Sequence, residues 1–334
     1  MSQPAQSVLP RWRGFNLVEM CTLRQTGRFV EDDFEWIANW GFDFVRLPLS
    51  YRWWIEGADV TKVREAGLAE VDRAVELGRK RGLHVSLNFH RAPGFCVNPD
   101  LAEPFNLWKD PPALDAFCFH WELFARRYRG IPAKELSFNL VNEPMNVDPE
   151  VMTRADHERV VRAAVARIRA VDPGRLIIID GLAWGKDPCP ELADLRVAQS
   201  CRAYWPHALT HYAVPWRKGG PEMPVPVWPG VVHKGETWDR AKLEELYRPW
   251  AELARSGVGV HCGEGGVYSR TPHAVALAWL GDVLDILKGL GIGCALWEFR
   301  GPFGILDSGR SDVACEDWHG HKLDRKLLKL LQEF

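Results

Sequence analysis

The sequence predicts a closed (β/α)8 barrel, and three observations carry that expectation. Strand-like apolar runs alternate with stretches of helical periodicity from near the start of the chain to its end. Eight such strands fit into 334 residues, an ordinary length for one barrel with elaborated loops. The C-terminal ends of the strands carry polar or aromatic residues, and the opposite ends offer no comparable set. Strands that alternate with helices imply a parallel sheet, and eight units close it. No linker, repeat or low-complexity tract interrupts the chain, so residues 1–334 read as a single domain.

The elements follow in order. RGFNLV at 13–18 is the first strand, with helical periodicity over 31–40 behind it. FDFVRLPL at 42–49 is the second and supplies Arg46; a helix over 65–81 follows. LHVSLNFH at 83–90 is the third. Its residues His84, Ser86, Asn88 and His90 alternate with apolar ones, which puts a polar row on one face with His90 at the mouth. After a helix over 112–129, the fourth strand, ELSFNLVN at 135–142, leads into Asn142 and Glu143. A helix over 153–171 precedes RLIIID at 175–180, after which CPELADLR reads as at most a short helix. ALTHY at 208–212 is taken as strand six, ending in His211 and Tyr212. The longest irregular stretch, about 213–238, is rich in Pro, Gly and Trp, and such loops are usually functional. A helix over 239–256 leads to strand seven, VGVHCGE at 258–264, which ends in Glu264. Helices over 272–289 and 321–333 flank strand eight, IGCALWEF at 292–299, which offers Trp297.

Composition narrows the partners. Forty-two Lys and Arg against 44 Asp and Glu give a net charge of −2, with no basic block. That argues against nucleic acid or an anionic membrane as a partner. No apolar run reaches the roughly 18–20 residues that span a bilayer. The eight Cys form no CxxC pair, and the 11 His are scattered, so neither a metal nor a cofactor is expected. The first 14 residues hold no apolar h-region. With eight apparently unpaired thiols, this predicts a cytoplasmic protein, or a secreted one if a leader has been removed. Sixteen Trp exceed the needs of a core. Those in polar or Pro/Gly-rich loops, Trp53, Trp54, Trp108, Trp184, Trp205, Trp216 and Trp228, are candidates to lie under sugar rings.

The chemistry is carried by LSFNLVNEP at 136–144 and VHCGEGG at 260–266. Each is an apolar run that ends in one carboxylate, Glu143 or Glu264, where an unpaired charge would be expensive to bury. Two carboxylates facing each other across a small gap cleave glycosidic bonds. On strand seven, alternation would put Val260, Cys262 and Glu264 on one face, with Gly263, Gly265 and Gly266 leaving room.

These segments resemble glycoside hydrolase family 5, in the clan of (β/α)8 retaining glycosidases. The matching pieces are RGFN (13–16), VRLPLS (45–50), LNFHRAPG (87–94), LVNEP (140–144), THY (210–212), CGEGG (262–266) and ALWEFRGPFGILDS (295–308). NEP after strand four, Glu after strand seven and Trp after strand eight, in that order, make the match specific. The resemblance implies that Glu143 is the acid/base and Glu264 the nucleophile. Arg46 would bond Glu264, and Asn142 the sugar 2-hydroxyl. His90 and His211 would face substrate, and Trp297 would form the platform. The family's His and Tyr lie two residues apart, whereas Tyr212 directly follows His211; Tyr204 or Tyr268 is then another source of the hydroxyl. Glu298 stands where many relatives have Asn, and a pair with Arg300 is expected. The implied activity is double-displacement hydrolysis of β-glucan, β-mannan, related oligosaccharides or β-glucosides. Transglycosylation by the same site and a silent sugar-binding barrel are the alternatives. The long loop after strand six would close one side of the mouth and favour short substrates.

Overall fold

The computed structural model of the chain describes residues 9–98, 101–216 and 223–334. The sheet is a closed parallel barrel of β1 (Arg13–Asn16), β2 (Phe44–Ser50), β3 (His84–Arg91), β4 (Leu136–Asn139), β5 (Leu176–Asp180), β6 (Ala198–Ala203), β7 (Val260–Gly265) and β8 (Gly293–Leu296). Sequence neighbours pair throughout, and β8 returns to β1 with Arg13 opposite Cys294 and Phe15 opposite Leu296. The outer layer contains α1 (Glu31–Asn39), α2 (Glu65–Lys80), α3 (Pro111–Arg127), α4 (Arg154–Val171), α5 (Arg240–Arg255), α6 (His273–Gly289) and α7 (Arg325–Glu333).

Local chemistry explains how helices seat on the sheet. Helix α2 buries Leu68, Val71, Ala74, Val75 and Leu77 on one stripe, the i, i+3, i+4 pattern of an amphipathic helix. Gly78 completes that stripe. A Cβ there would stand 2.3 Å from Val85 Cγ2, so glycine permits the close approach of α2 to β3. Helix α4 opens on a capping box, with Thr153 accepting from the Asp156 N–H and Asp156 returning to the Thr153 backbone. The barrel floor is plugged by aromatic rings. Trp12 stacks on His84 at 3.7 Å, and Phe44 packs against His261 at 4.6 Å. His84 is buried, with its ring nitrogens 2.9 Å from the Lys134 carbonyl and 2.8 Å from Ser137 Oγ. Burial pushes its pKa down to about 3, so it serves the floor as a neutral ring.

Strand six is not where the sequence suggested. Residues His207–Thr210 form one helical turn, and His211 and Tyr212 lie in the turn beyond it. The strand is AQSCRA, reached after a 3-10 turn at Pro190–Leu195. Its Ser200 and Arg202 turn inward to polar partners, and its remaining residues are Ala, Gln and Cys. Hydropathy therefore gave no strand signal, although β5 and β7 satisfy both of its edges.

Strand seven departs from simple alternation. Against β6 its register runs Val260–Gln199, His261–Ser200 and Cys262–Cys201, then resumes at Glu264–Arg202. Gly263 is the extra residue of this bulge. It faces inward, where a Cβ would meet Ser200 Oγ at 2.6 Å. Cys262 instead sits among Cys201, Cys294 and Tyr247 of α5. Val260, Cys262 and Glu264 thus do not share a face by alternation; the bulge returns Glu264 to the interior. Bulges that re-aim a side chain are common next to active sites.

Three antiparallel hairpins were not anticipated: Ile55–Glu56 with Asp59–Val63, Val231–His233 with Glu236–Trp238, and Glu316–Trp318 with His321–Leu323. Two of them turn on Lys234-Gly235 and His319-Gly320, each with positive φ at both positions, as tight hairpin turns require. The second hairpin orders part of the stretch read as irregular over 213–238; residues 217–222 of that stretch lie outside the described residues. So do residues 1–8 of the segment inspected for a signal. The third hairpin occupies the start of the helix expected over 321–333, which begins at Arg325 after the Asp324 cap.

Candidate active site

Arg46 organises the mouth of the barrel from β2. Its side chain is 1% exposed. Nε donates to Asn139 Oδ1 at 2.9 Å, Nη1 to Asn16 Oδ1 at 2.9 Å and to Glu264 Oε2 at 2.7 Å, and Nη2 to Asn142 Oδ1 at 2.8 Å. A buried cation with this many acceptors is held rigidly and offsets its desolvation through charge-assisted bonds. The three asparagines come from β1, β4 and the segment after β4, so one guanidinium ties distant strands to Glu264.

Glu264 receives a second donor, one of the two tyrosines named as alternatives to Tyr212. Tyr204, just past β6, donates its hydroxyl to Glu264 Oε1 at 3.0 Å. Burial, and then the charge of Glu264, push the Tyr204 pKa well up, so the phenol keeps its proton. Tyr204, not Tyr212, supplies the hydroxyl. Arg202 and Tyr204 stand two residues apart at the end of β6, Arg202 bonding Glu143 and Tyr204 bonding Glu264. The misplaced strand hid Arg202, which lies in β6.

Glu143 stands across the mouth in a left-handed backbone conformation with φ 48°. Such a conformation costs an L-residue roughly 1–2 kcal/mol. Its N–H donates to Asp180 Oδ2 at 2.9 Å, and a bond to a charged acceptor contributes about 1.5–3 kcal/mol, enough to offset the strain. Asp180, fully buried at the end of β5, also accepts from Asn139 Nδ2 at 2.9 Å and from Arg202 Nη2. Arg202 Nε donates to Glu143 Oε1 at 3.0 Å, and its Nη2 lies 3.5 Å from Glu264 Oε2. Both carboxylates therefore meet on one guanidinium. Burial first, and the Glu264 charge second, raise the Glu143 pKa to about 8, against the pull of Arg202.

Asn142 accepts at Oδ1 from both Arg46 and Arg202, at 2.8 and 3.0 Å. Guanidinium groups only donate, so the amide orientation is fixed, and Nδ2 faces His90 Nε2 at 3.5 Å. His90 at the end of β3 has Nδ1 4.0 Å from Glu264 Oε2, and its ring stacks on Trp297 at 5.2 Å and 17°. Burial and the neighbouring arginines hold its pKa well down, leaving the ring neutral. Trp297, joined to Glu298 by a cis peptide, is half-buried beside it.

The remaining candidates lie further out. His211 stands behind the site, 5.3 Å from the Tyr204 ring and bonded to Thr210 Oγ1 at 3.0 Å. The Tyr212 N–H bonds the Leu209 carbonyl in the same turn. Glu298 does not pair with Arg300, whose Nε donates to both oxygens of buried Asp33 at 3.0 and 2.9 Å. Glu298 accepts instead from the Phe303 N–H, and burial lifts its pKa to about 8. Trp54 and Trp108 are core residues, and Trp228 is tied to Asp282 through its ring N–H at 2.8 Å. Trp184 is half-buried next to the Glu143 segment, its N–H donating to the Pro144 carbonyl at 3.0 Å.

Residues 2–301 match the family model described as Cellulase (glycosyl hydrolase family 5). The chain belongs to glycoside hydrolase family 5. It is an O-glycosyl hydrolase of the cellulase family, and its barrel is the fold of that family. Endoglucanase C of Acetivibrio thermocellus is 26% identical over 312 residues, covering 86% of this chain and 89% of the relative. Cellodextrinase A of Ruminococcus flavefaciens is 30% identical over 270 residues, 78% of this chain and 76% of the relative. A crystal structure of a glycoside hydrolase superposes with a TM-score of 0.92 at 41% identity, covering 97% of this chain and 99% of the other. The Thermotoga maritima Cel5A structure solved with cellobiose shares the fold, with a TM-score of 0.74 at 21% identity over 96% and 97% of the two chains.

Proposed function

We propose that the protein is a retaining β-glycosidase in which Glu264 is the nucleophile and Glu143 the acid/base. The observation that carries this reading is the unequal setting of two carboxylates on one guanidinium. Glu264 takes a 2.7 Å bond from a buried arginine and a second from Tyr204, so a fixed cation and a phenol donor each engage one of its oxygens. Glu143, with its pKa near 8, keeps its proton at neutral pH. Unequal carboxyl pairs of this kind divide into acid and nucleophile. Glu264 Oε2 is engaged by Arg46, so Oε1, with one neutral donor, is the oxygen that attacks the anomeric carbon. The Asn142 amide N–H and neutral His90 are oriented to bind the sugar 2-hydroxyl region, and Trp297 offers a ring face.

The substrate is a soluble β-linked oligosaccharide or aryl glycoside of the gluco or manno series; similarity to a cellodextrinase and an endoglucanase supports this class. The test is the Glu264→Gly variant on a panel of aryl β-glycosides. We expect turnover to vanish with the fold intact, and external azide to restore it with an α-glycosyl azide as product. Wild-type turnover in Glu264→Gly, without azide, would end the assignment. Specific activity on oligosaccharides of increasing length, beside polymer, reports the reach of the cleft; a steady rise with length would contradict the short-substrate expectation.

A further inference from the structure

We propose that Arg202 is a positioning residue that dictates which oxygen of Glu143 carries the proton donated to the leaving group. The inference rests on Glu143 being the acid/base. A guanidinium has five N–H donors and no acceptor. All five are committed here: Nε to Glu143 Oε1 at 3.0 Å, Nη1 to Ser200 Oγ at 2.9 Å and to the Cys201 carbonyl at 3.1 Å, and Nη2 to Asn142 Oδ1 at 3.0 Å and to Asp180 Oδ2. The group cannot turn without breaking several charge-assisted bonds in a buried setting, where its side chain is 1% exposed. Its stem is packed as well, since a Cβ on Gly185 would stand 2.5 Å from Arg202 Cγ. Glu143 Oε1 must therefore offer a lone pair to Nε, and the acid proton resides on Oε2.

The proton ledger then closes on one oxygen. In the first step a Glu264 oxygen bonds to the anomeric carbon as the bond to the leaving oxygen breaks. The leaving oxygen keeps that electron pair and takes the proton from Glu143 Oε2. Glu143 is now an anion, held at Oε1 by the Arg202 cation. In the second step water gives a proton to Oε2 while its oxygen bonds to the anomeric carbon, and the ester electron pair returns to Glu264. Water has been added across the glycosidic bond, and Oε1 has stayed on Arg202 throughout. The charged groups that face Glu143 are Arg46 from β2, Asp180 from β5, Arg202 from β6 and Glu264 from β7. Loss of the Arg202 charge leaves two anions against one cation, which favours the protonated acid.

The experiment compares Arg202→Lys and Arg202→Met with wild type. The readout is kcat/KM against pH on two aryl glycosides of one sugar, one with a 2,4-dinitrophenyl and one with an unactivated phenyl leaving group. Both variants should lose about tenfold to a hundredfold on the phenyl glycoside, a share of the roughly 10²–10⁴ that general acid catalysis supplies, and far less on the dinitrophenyl one. Arg202→Met should also move the basic limb upward by about one pH unit, and Arg202→Lys, which keeps the charge, should move it much less. Equal losses on both substrates with an unmoved limb in Arg202→Met would overturn the proposal and leave Arg202 a packing residue. If melting shows Arg202→Met to be unfolded, the ratio of the two losses in Arg202→Lys decides alone. Glu143→Ala is the control. If it shows no dependence on the leaving group, the acid/base reading fails, whatever Arg202 does.

Discussion

Tyr204→Phe removes one hydroxyl and leaves the ring. In the protein that hydroxyl donates to Glu264 Oε1 at 3.0 Å, while the ring packs against His211 at 5.3 Å and Phe303 at 6.2 Å. The ring contacts survive the substitution, so the melting temperature should change little. A hydrogen bond to a charged acceptor is worth about 1.5–3 kcal/mol, and each ~1.36 kcal/mol of transition-state stabilisation is a factor of ten in rate. The phenol stays protonated because burial and the Glu264 charge disfavour its anion, so it donates throughout the working pH range. It holds Glu264 Oε1, the oxygen proposed to form the glycosyl ester. kcat/KM on an aryl glycoside should therefore fall roughly tenfold to a hundredfold. Tyr212→Phe, in the turn that does not reach Glu264, should stay within about threefold of wild type on the same assay. The reasoning is refuted if Tyr204→Phe retains full kcat/KM, or if Tyr212→Phe loses as much.

Other expectations concern pH and the platform. The pH profile of kcat/KM should fall on the basic side near pH 8, where Glu143 loses its proton; a fall centred near the ordinary carboxylate range would contradict the acid role. Stability carries the same sign. Glu143 and Glu298 are raised from 4.5 to about 8 and Glu19 from 4.5 to about 7, so the folded state binds more protons than the unfolded one between these values. That stabilising contribution is full below about pH 4.5 and is lost as pH rises through the folded values. Glu298→Gln should flatten the decline in melting temperature between pH 5 and roughly 8, and an unchanged slope would count against a buried, neutral Glu298. Trp297→Ala should lower turnover more than it lowers the melting temperature, since the ring is half-buried and its partner His90 is itself held in place; a large melting drop with normal activity per folded molecule would make it a core residue.

The barrel was legible because most of its strands are continuous apolar runs with charged or polar endings. LIIID at β5 and FVRLPLS at β2 satisfy both faces with side chains that read as strand. β6 did not, because its inward positions are used for Ser200 and Arg202 rather than for packing. The loss was costly for the site, as β6 brings Arg202 and leads directly into Tyr204. Glu143, Glu264, Arg46, Asn142, His90 and Trp297 were singled out from strand order and motif, and the fold brings them together at one mouth. His211 lies behind Tyr204, and Tyr212 stays in the turn. The inward aim of Glu264 was right for the wrong reason, since a bulge at Gly263 is a property of register that a single strand does not display. The left-handed backbone of Glu143, and its support by Asp180, likewise follow from contacts between strands far apart in sequence. The hairpins turning on Lys234-Gly235 and His319-Gly320 had a short signal, an X-Gly pair between β-formers, that helical and loop patterns on either side obscured.

The most direct test of the account is the anomeric configuration of the first sugar released by the wild-type enzyme. Proton NMR of early hydrolysis, taken before mutarotation, separates the two anomers of the new reducing end. A covalent intermediate on Glu264 that is resolved by Glu143-activated water inverts twice, so the β-anomer should appear first and the α-anomer only later, by mutarotation. First appearance of the α-anomer would mean a single displacement by water, and would contradict Glu264 as nucleophile and Glu143 as its acid/base partner.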